Sequence, residues 1–261
     1  MPMPSLPEML MGLLAVLCLV VALAGLRLAL LHTSWKPALQ QKIFITAVVI
    51  VALWLVVVSV LAQKGVLAQF DAFPPRALLI VALPIVAALA IAFTKRFKIL
   101  LRATPLHWLV LFQPFRMVVE IVLWQAFKRG LIPVQMTFEG RNFDVVSGVL
   151  ALAAGIYMQQ RPRHAVVVGW MFNIIGLALL INIMAVSILS MPTPMRYFTE
   201  GPANTLVVTF PFVYLPSVLV TLAFSFHVFS MRQLWLYRRA ASFKNNINPA
   251  EGPAMALAHK H

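Results

Sequence analysis

Gln113, Arg116 and Glu120 stand three and four residues apart, so on a helix they form one polar stripe along an otherwise apolar cylinder of Val, Leu, Phe and Met. A guanidinium and a carboxylate at this i, i+4 spacing can pair. The chemistry open to them is capture of an anionic group by Arg116, proton relay by Glu120, or mutual neutralisation that fixes how the helix packs. Pro114 removes a backbone donor two residues before Arg116 and predicts a kink there.

A second polar stretch, Met136-Thr137-Phe138-Glu139-Gly140-Arg141-Asn142-Phe143-Asp144, follows this helix. Gly140 suits a tight turn, Asn142 a helix cap, and Asp144 the positive end of the next helix. Glu139 and Arg141 are not explained by capping; we read them as a pair that closes over a vestibule opening toward Glu120. Farther on, Tyr214, Ser217 and Thr221 repeat the i, i+3, i+7 spacing, and Pro211 and Pro216 interrupt the same segment. Pro216 is expected about 16 Å below the external end of its span, near the depth of Arg116 and Glu120. A broken helix at that depth usually lines a cavity. The expected site therefore lies between the fourth and seventh helices, with Gln113, Arg116, Glu120, Tyr214, Ser217, Glu139, Arg141 and Asp144 as candidates for solute or proton binding.

His32, His107, His164 and His227 fall near the ends of apolar runs on one side and are weak candidates for haem or metal. They form no HxxxH or HExxH pattern, and no cofactor is predicted. Cys18 is the single cysteine and sits in an apolar run, which excludes an intrachain disulfide and any CxxC pair.

These residues need elements to hold them, and composition says what those are. Of 261 residues, 62% are hydrophobic and 11% charged, with a mean hydropathy of +0.91; soluble domains run near 45–50% apolar and about 25% charged. The fold class is all-α, a polytopic transmembrane helix bundle, because a bilayer core of about 30 Å takes ~20 apolar residues in helix and the apolar runs are continuous rather than alternating. Seven runs qualify: Met9–Leu31, Ile43–Ala62, Ala77–Thr94, Leu106–Phe127, Phe143–Met158, Ala165–Leu189 and Leu206–Met231. The fourth carries two charges and the fifth is short.

Orientation follows from the basic residues, which are retained in the cytoplasm. With the amino terminus outside, Arg27, Lys36 and Lys42, then Lys95, Arg96, Lys98 and Arg102, then Arg161 and Arg163, and finally Arg232, Arg238, Arg239, Lys244 and Lys260 all fall inside. Lys64, Arg76, Lys128, Arg129, Arg141 and Arg196 fall outside. The net charge of +14 thus reads as topology and not as nucleic-acid binding. Met1 to Leu13 lacks Lys and Arg and contains Glu8, so the first run is expected to be an uncleaved span. Residues 1–239 make the membrane domain, and 240–261 is expected to be a disordered cytoplasmic tail.

Several activities lack their parts. No lysine lies in the core of a span, so a retinal Schiff base has no attachment point; there is neither a GxxxxGK[ST] phosphate loop nor a GxSxG elbow. The Met136–Asp144 stretch with the small-residue helix after it (Ser147, Ala151, Gly155), and Pro192–Phe198 leading into Thr209–Pro216, resemble segments of small, uncharacterised multi-pass bacterial membrane proteins. The resemblance implies the bacterial inner membrane and brings no activity with it. The expected function is a small transporter or permease-like protein. The alternatives are a non-enzymatic membrane subunit or receptor-like module with an architectural charge pair, and, third, an intramembrane enzyme using Glu120, Asp144 or the histidines. The expected partners are the lipid bilayer, with a membrane protein or a second copy of the chain as further candidates.

Overall fold

The computed structural model describes residues 5–71 and 74–247, and every regular element in them is helical. Helices α1 (Leu6–Leu31) and α2 (Pro37–Gln63) form an apolar hairpin, with the Glu8 carboxylate accepting the Ser5 N–H at 2.6 Å at the start of α1. α3 (Arg76–Ala92) is followed by α4 (Lys95–Ala103), turned by 83°. Thr94 caps α4 by accepting the Phe97 N–H at 3.2 Å. α5 (Trp108–Leu111) and α6 (Phe115–Lys128) together make one apolar stretch long enough to cross a membrane, interrupted over residues 112–114, and the charged stripe runs from the turn at Gln113 into α6. α7 (Asp144–Gln160), α8 (Ala165–Leu189) and α9 (Thr221–Ile247) complete the bundle.

Among the described residues, five helical stretches are long and apolar enough to cross a membrane, or six if the α3–α4 pair, bent by 83°, is counted as one span. The expected fifth span, Phe143–Met158, forms α7, a helix of 17 residues that is not among these stretches. The last crossing departs from expectation. It was placed over Leu206–Met231, but the helical stretch runs over Leu215–Ala240 and begins with a π-helical turn, Leu215–Val220. Pro216 therefore sits in the first turn of the helix and does not break its middle. Hydropathy misses this, because the irregular segment 206–214 is as apolar as the helix it precedes. The helix also continues to Ile247, beyond the Arg239 boundary; the remainder of the expected tail, 248–261, lies outside the described residues.

The core runs through α1, α3, α6, α8, the 206–215 segment and the start of α9, with Met11, Leu123, Ile132, Met136, Leu180, Phe212 and Leu219 among its buried residues. Small residues bring α7 against α5 and α6. A Cβ on Gly148 would stand 2.4 Å from Met117 Cγ, and one on Gly155 would stand 2.5 Å from Leu111 Cγ, so only glycine allows this approach. The expected seam of Ser147, Ala151 and Gly155 is fully buried.

Polar side chains secure the irregular segment at depth. Trp54 of α2 donates its indole N–H to the Ser217 carbonyl at 3.1 Å, and Ser59 meets the Tyr214 hydroxyl at 2.8 Å. Trp54 is nine residues before Gln63, or about 14 Å from that end of α2. The start of the last helix is thus well inside the bundle, where backbone without a regular partner must be satisfied by protein.

Candidate functional site

Arg116 opens the second half of the broken crossing, and its guanidinium turns away from Glu120. Helical side chains lean toward the amino-terminal end, which carries Arg116 away from a residue four places later. The expected Arg116–Glu120 pair is therefore corrected: the partner is Asp144, in the first turn of α7. Nε lies 3.1 Å from Oδ2 and Nη2 lies 2.5 Å from Oδ1, a two-pronged, buried contact. Nη1 donates to the Gly176 carbonyl at 3.1 Å and meets His227 Nε2 at 3.2 Å.

That last contact fixes a tautomer by elimination. Arginine offers no acceptor, so His227 Nε2 must accept and Nδ1 must carry the proton. Nδ1 then donates to Asn173 Oδ1 at 2.9 Å, which turns the Asn173 amide nitrogen toward the Gly169 carbonyl at 2.7 Å and Ser230 Oγ at 2.8 Å. Gly176 is what makes room, since a Cβ there would stand 2.6 Å from His227 Cε1. Helices α6, α7, α8 and α9 are locked together through this one guanidinium.

Glu120 belongs to the other end of the network. Asn142 donates its side-chain amide to Glu120 Oε1 and to the Met136 carbonyl, and its Oδ1 accepts the Asp144 N–H at 3.1 Å. The N-cap of α7 is Phe143, so Asn142 stands one residue before the expected capping position; from there it takes the Asp144 N–H while also holding a carboxylate. Glu120 itself is 0% exposed, and its Oε2 has no partner among the described residues. A buried oxygen left open in this way costs roughly 1–3 kcal/mol unless something fills it.

Glu120 lines a cavity of about 450 Å³. Its walls are apolar residues of α3 (Ile80, Val81, Ile85), α8 (Ile183, Met184, Ile188) and the last crossing (Leu215, Pro216, Val220, Phe224), with Asn142, Asp144 and Ser187 adding polar atoms. The volume is within the ~300–1,000 Å³ of small-molecule sites.

The other expected residues are dispersed. Gln113 donates to the Ala223 carbonyl at 3.0 Å, which joins the fourth and last crossings as anticipated. Tyr214 is tied to Ser59, and Ser217 Oγ to the Val213 carbonyl at 2.6 Å; their neighbours Leu215 and Pro216 line the cavity instead. Glu139 and Arg141 do not close over Glu120. Glu139 accepts from Trp124 Nε1 at 2.6 Å and pairs with Lys128 at 3.3 Å on the exposed side of α6, while Arg141 lies over the Phe198 ring at 5.2 Å. The Trp124 N–H, followed by Lys128, holds the Glu139 carboxyl below its ordinary range.

Of the histidines, only His227 enters the network. His32 bonds to the Leu28 carbonyl, His164 stacks on Tyr157, and His107 precedes α5. Among the described residues, no three His, Cys, Asp or Glu side chains group as metal ligands would. Asn173 and Gly176 were not singled out as site residues; an asparagine in an apolar run was the one signal for the former.

The class of protein defined by this fold is a helical bundle whose long apolar helices surround a buried polar network. Residues 73–235 match the family described as a domain of unknown function, DUF8737, and the chain belongs to that family. The matched stretch holds every residue of the network from Gln113 to Ser230 and leaves α1 and α2 outside. No curated protein and no solved structure matches the chain.

Proposed function

We propose that this chain is a small permease-like protein of the bacterial inner membrane that admits a compact, largely apolar solute to Glu120 through the cavity flanked by α3 and α8. One observation carries the reading: Glu120 Oε2 is buried, unpartnered among the described residues, and belongs to a residue lining that cavity. Arg116 and Asp144 neutralise each other, so Glu120 is the carboxyl left over. Such an oxygen either holds a proton or meets a donor, which makes an amine or other N–H group the natural polar end of the solute.

The seven-crossing topology, amino terminus outside and carboxyl terminus in the cytoplasm, is part of this reading. It is supported by the packing of α4 on the end of α1 and on α9, which gathers Arg27, Lys95, Arg96, Lys98, Arg102 and Arg238 at one end of the bundle. At 1.5 Å per residue the 17-residue α3 and α7 each span about 26 Å, close to a bilayer core of about 30 Å.

A second reading is favoured by a different observation, the sealing of Arg116 by Asp144, Gly176 and His227. It makes the pair an architectural clamp in a membrane subunit or receptor-like module. Benzylamine and benzyl alcohol, similar in size and differing in one polar group, separate the two. For the solute site, benzylamine raises the melting temperature of the purified protein more than benzyl alcohol does, and Glu120→Gln abolishes the difference. Equal responses to both compounds in the parent protein would leave only the architectural reading.

A further inference from the structure

α4 differs from every crossing helix. It is nine residues long, lies at 83° to α3, and buries Leu100 against Ala29 and Leu30 of α1, with Leu101 also buried, while Lys95, Arg96 and Arg102 are exposed. A short helix with one apolar and one cationic face, set across the end of apolar crossings, is the geometry of an element lying in the membrane interface. Arg232 of α9 joins it, lying over the Phe93 ring at 5.2 Å and donating to the Thr94 carbonyl at 3.4 Å. No acid occurs between Asp71 and Glu120, or between Glu200 and Glu251, so neither α4 nor α9 supplies a counter-charge.

Where α4 ends against α9 there is a second cavity, of about 410 Å³, lined by Arg102, Thr104, Gln233 and Tyr237 together with Leu106 and Leu236. Gln233 is 4% exposed, and its orientation is settled by two carbonyls. Its amide nitrogen donates to Leu101 at 2.7 Å and to Thr104 at 2.5 Å, closing the end of α4. Oε1 is thereby committed as an acceptor, and it is buried with no donor among the described residues. The site thus offers a cation at its edge, an open acceptor within, and apolar walls.

We infer that the cavity between α4 and α9 binds the headgroup of an anionic phospholipid, with the phosphate at Arg102, a headgroup hydroxyl donating to Gln233 Oε1, and the first acyl carbons against Leu106 and Leu236. A phosphate diester bearing a glycerol headgroup has all three parts; a choline headgroup lacks both net charge and a hydroxyl donor. The site is separate from the Glu120 cavity and does not depend on the permease-like reading.

The test uses the full chain purified in a neutral detergent, with lipid retention measured by native mass spectrometry and melting temperature measured alongside. Phosphatidylglycerol is expected to be retained and to raise the melting temperature relative to phosphatidylcholine of the same chains. Arg102→Gln weakens retention about five-fold, the worth of one interfacial cation, and Arg102→Lys restores most of it. Arg163→Gln, a basic residue outside α4 and α9, leaves retention unchanged. Equal retention of phosphatidylcholine, or equal loss in Arg163→Gln, overturns the site. Stabilisation by glycerol phosphate or inorganic phosphate equal to that by the lipid would reassign the cavity to a free anion and overturn the lipid proposal.

Discussion

Asp144 accepts both prongs of the Arg116 guanidinium from the first turn of a helix that starts 28 residues away in sequence. The charge on Arg116 is thereby matched inside the bundle, and each partner is costly without the other. Arg116→Met alone strands Asp144, and Asp144→Leu alone strands Arg116. Each single change is expected to lower stability by about 3–5 kcal/mol, whereas the double change recovers much of that loss. Thermal denaturation in detergent of the four proteins closes the cycle; additive losses would contradict the pairing.

Glu120→Gln is expected to leave folded protein in the membrane with a melting temperature close to that of the parent. The replacement keeps an oxygen for Asn142 and puts an amide where Oε2 is open. Loss of folded protein would show that the carboxylate is structural and would count against a solute role.

Gly176→Ala and Gly148→Ala are expected to cost about 1–3 kcal/mol each through overpacking. The added methyl meets His227 at 2.6 Å in the first case and Met117 at 2.4 Å in the second. Gly25→Ala, with nothing within 4 Å of the new carbon, provides the comparison and should be neutral or slightly stabilising. Melting temperatures decide it.

Glu139 gives a pH signature outside the crossings. Its folded carboxyl titrates below the ordinary value because Trp124, and then Lys128, favours the charged form. A depressed carboxyl contributes its stabilisation above the unfolded value, about 4.3, and loses it as pH falls through the lower folded value. The tryptophan emission is therefore expected to change in acid with a midpoint below 4.3, and the transition should vanish in both Glu139→Gln and Trp124→Phe. A midpoint at or above that value would contradict the contact.

Tyr214→Phe is expected to cost about 1 kcal/mol, the scale of one hydrogen bond. Ser59 spends its own proton on the Leu55 carbonyl at 2.6 Å, so Tyr214 is the donor of the pair. A parallel loss in Ser59→Ala, not additive with the first, would locate the effect in that contact.

The polar stripe on the fourth crossing was legible because three residues at helical spacing need only their own helix to be related. Its partners were not, because Asp144 and His227 arrive from other helices and no spacing along one chain segment encodes their approach. The interruption of the helix at Pro114 and the small-residue face of α7 are local consequences of residue type. The start of the last crossing was misplaced because Leu206 to Tyr214 is apolar for a different reason: it is buried in protein rather than wound in helix. Glu139 and Arg141 were read over a vestibule because capping did not account for them. Alternation along the loop turns Asn142 in and both of them out, where an indole N–H and an aromatic ring receive them.

The links from Trp54 to Ser217 and from Ser59 to Tyr214 join residues 163 and 155 positions apart. In terms of assembly, on the membrane reading proposed above, the α1–α2 hairpin enters the bilayer long before the segment that will occupy the Trp54 indole N–H has been made. The hairpin must therefore persist as an apolar pair with that group unsatisfied, and it is the last crossing to arrive that completes the second.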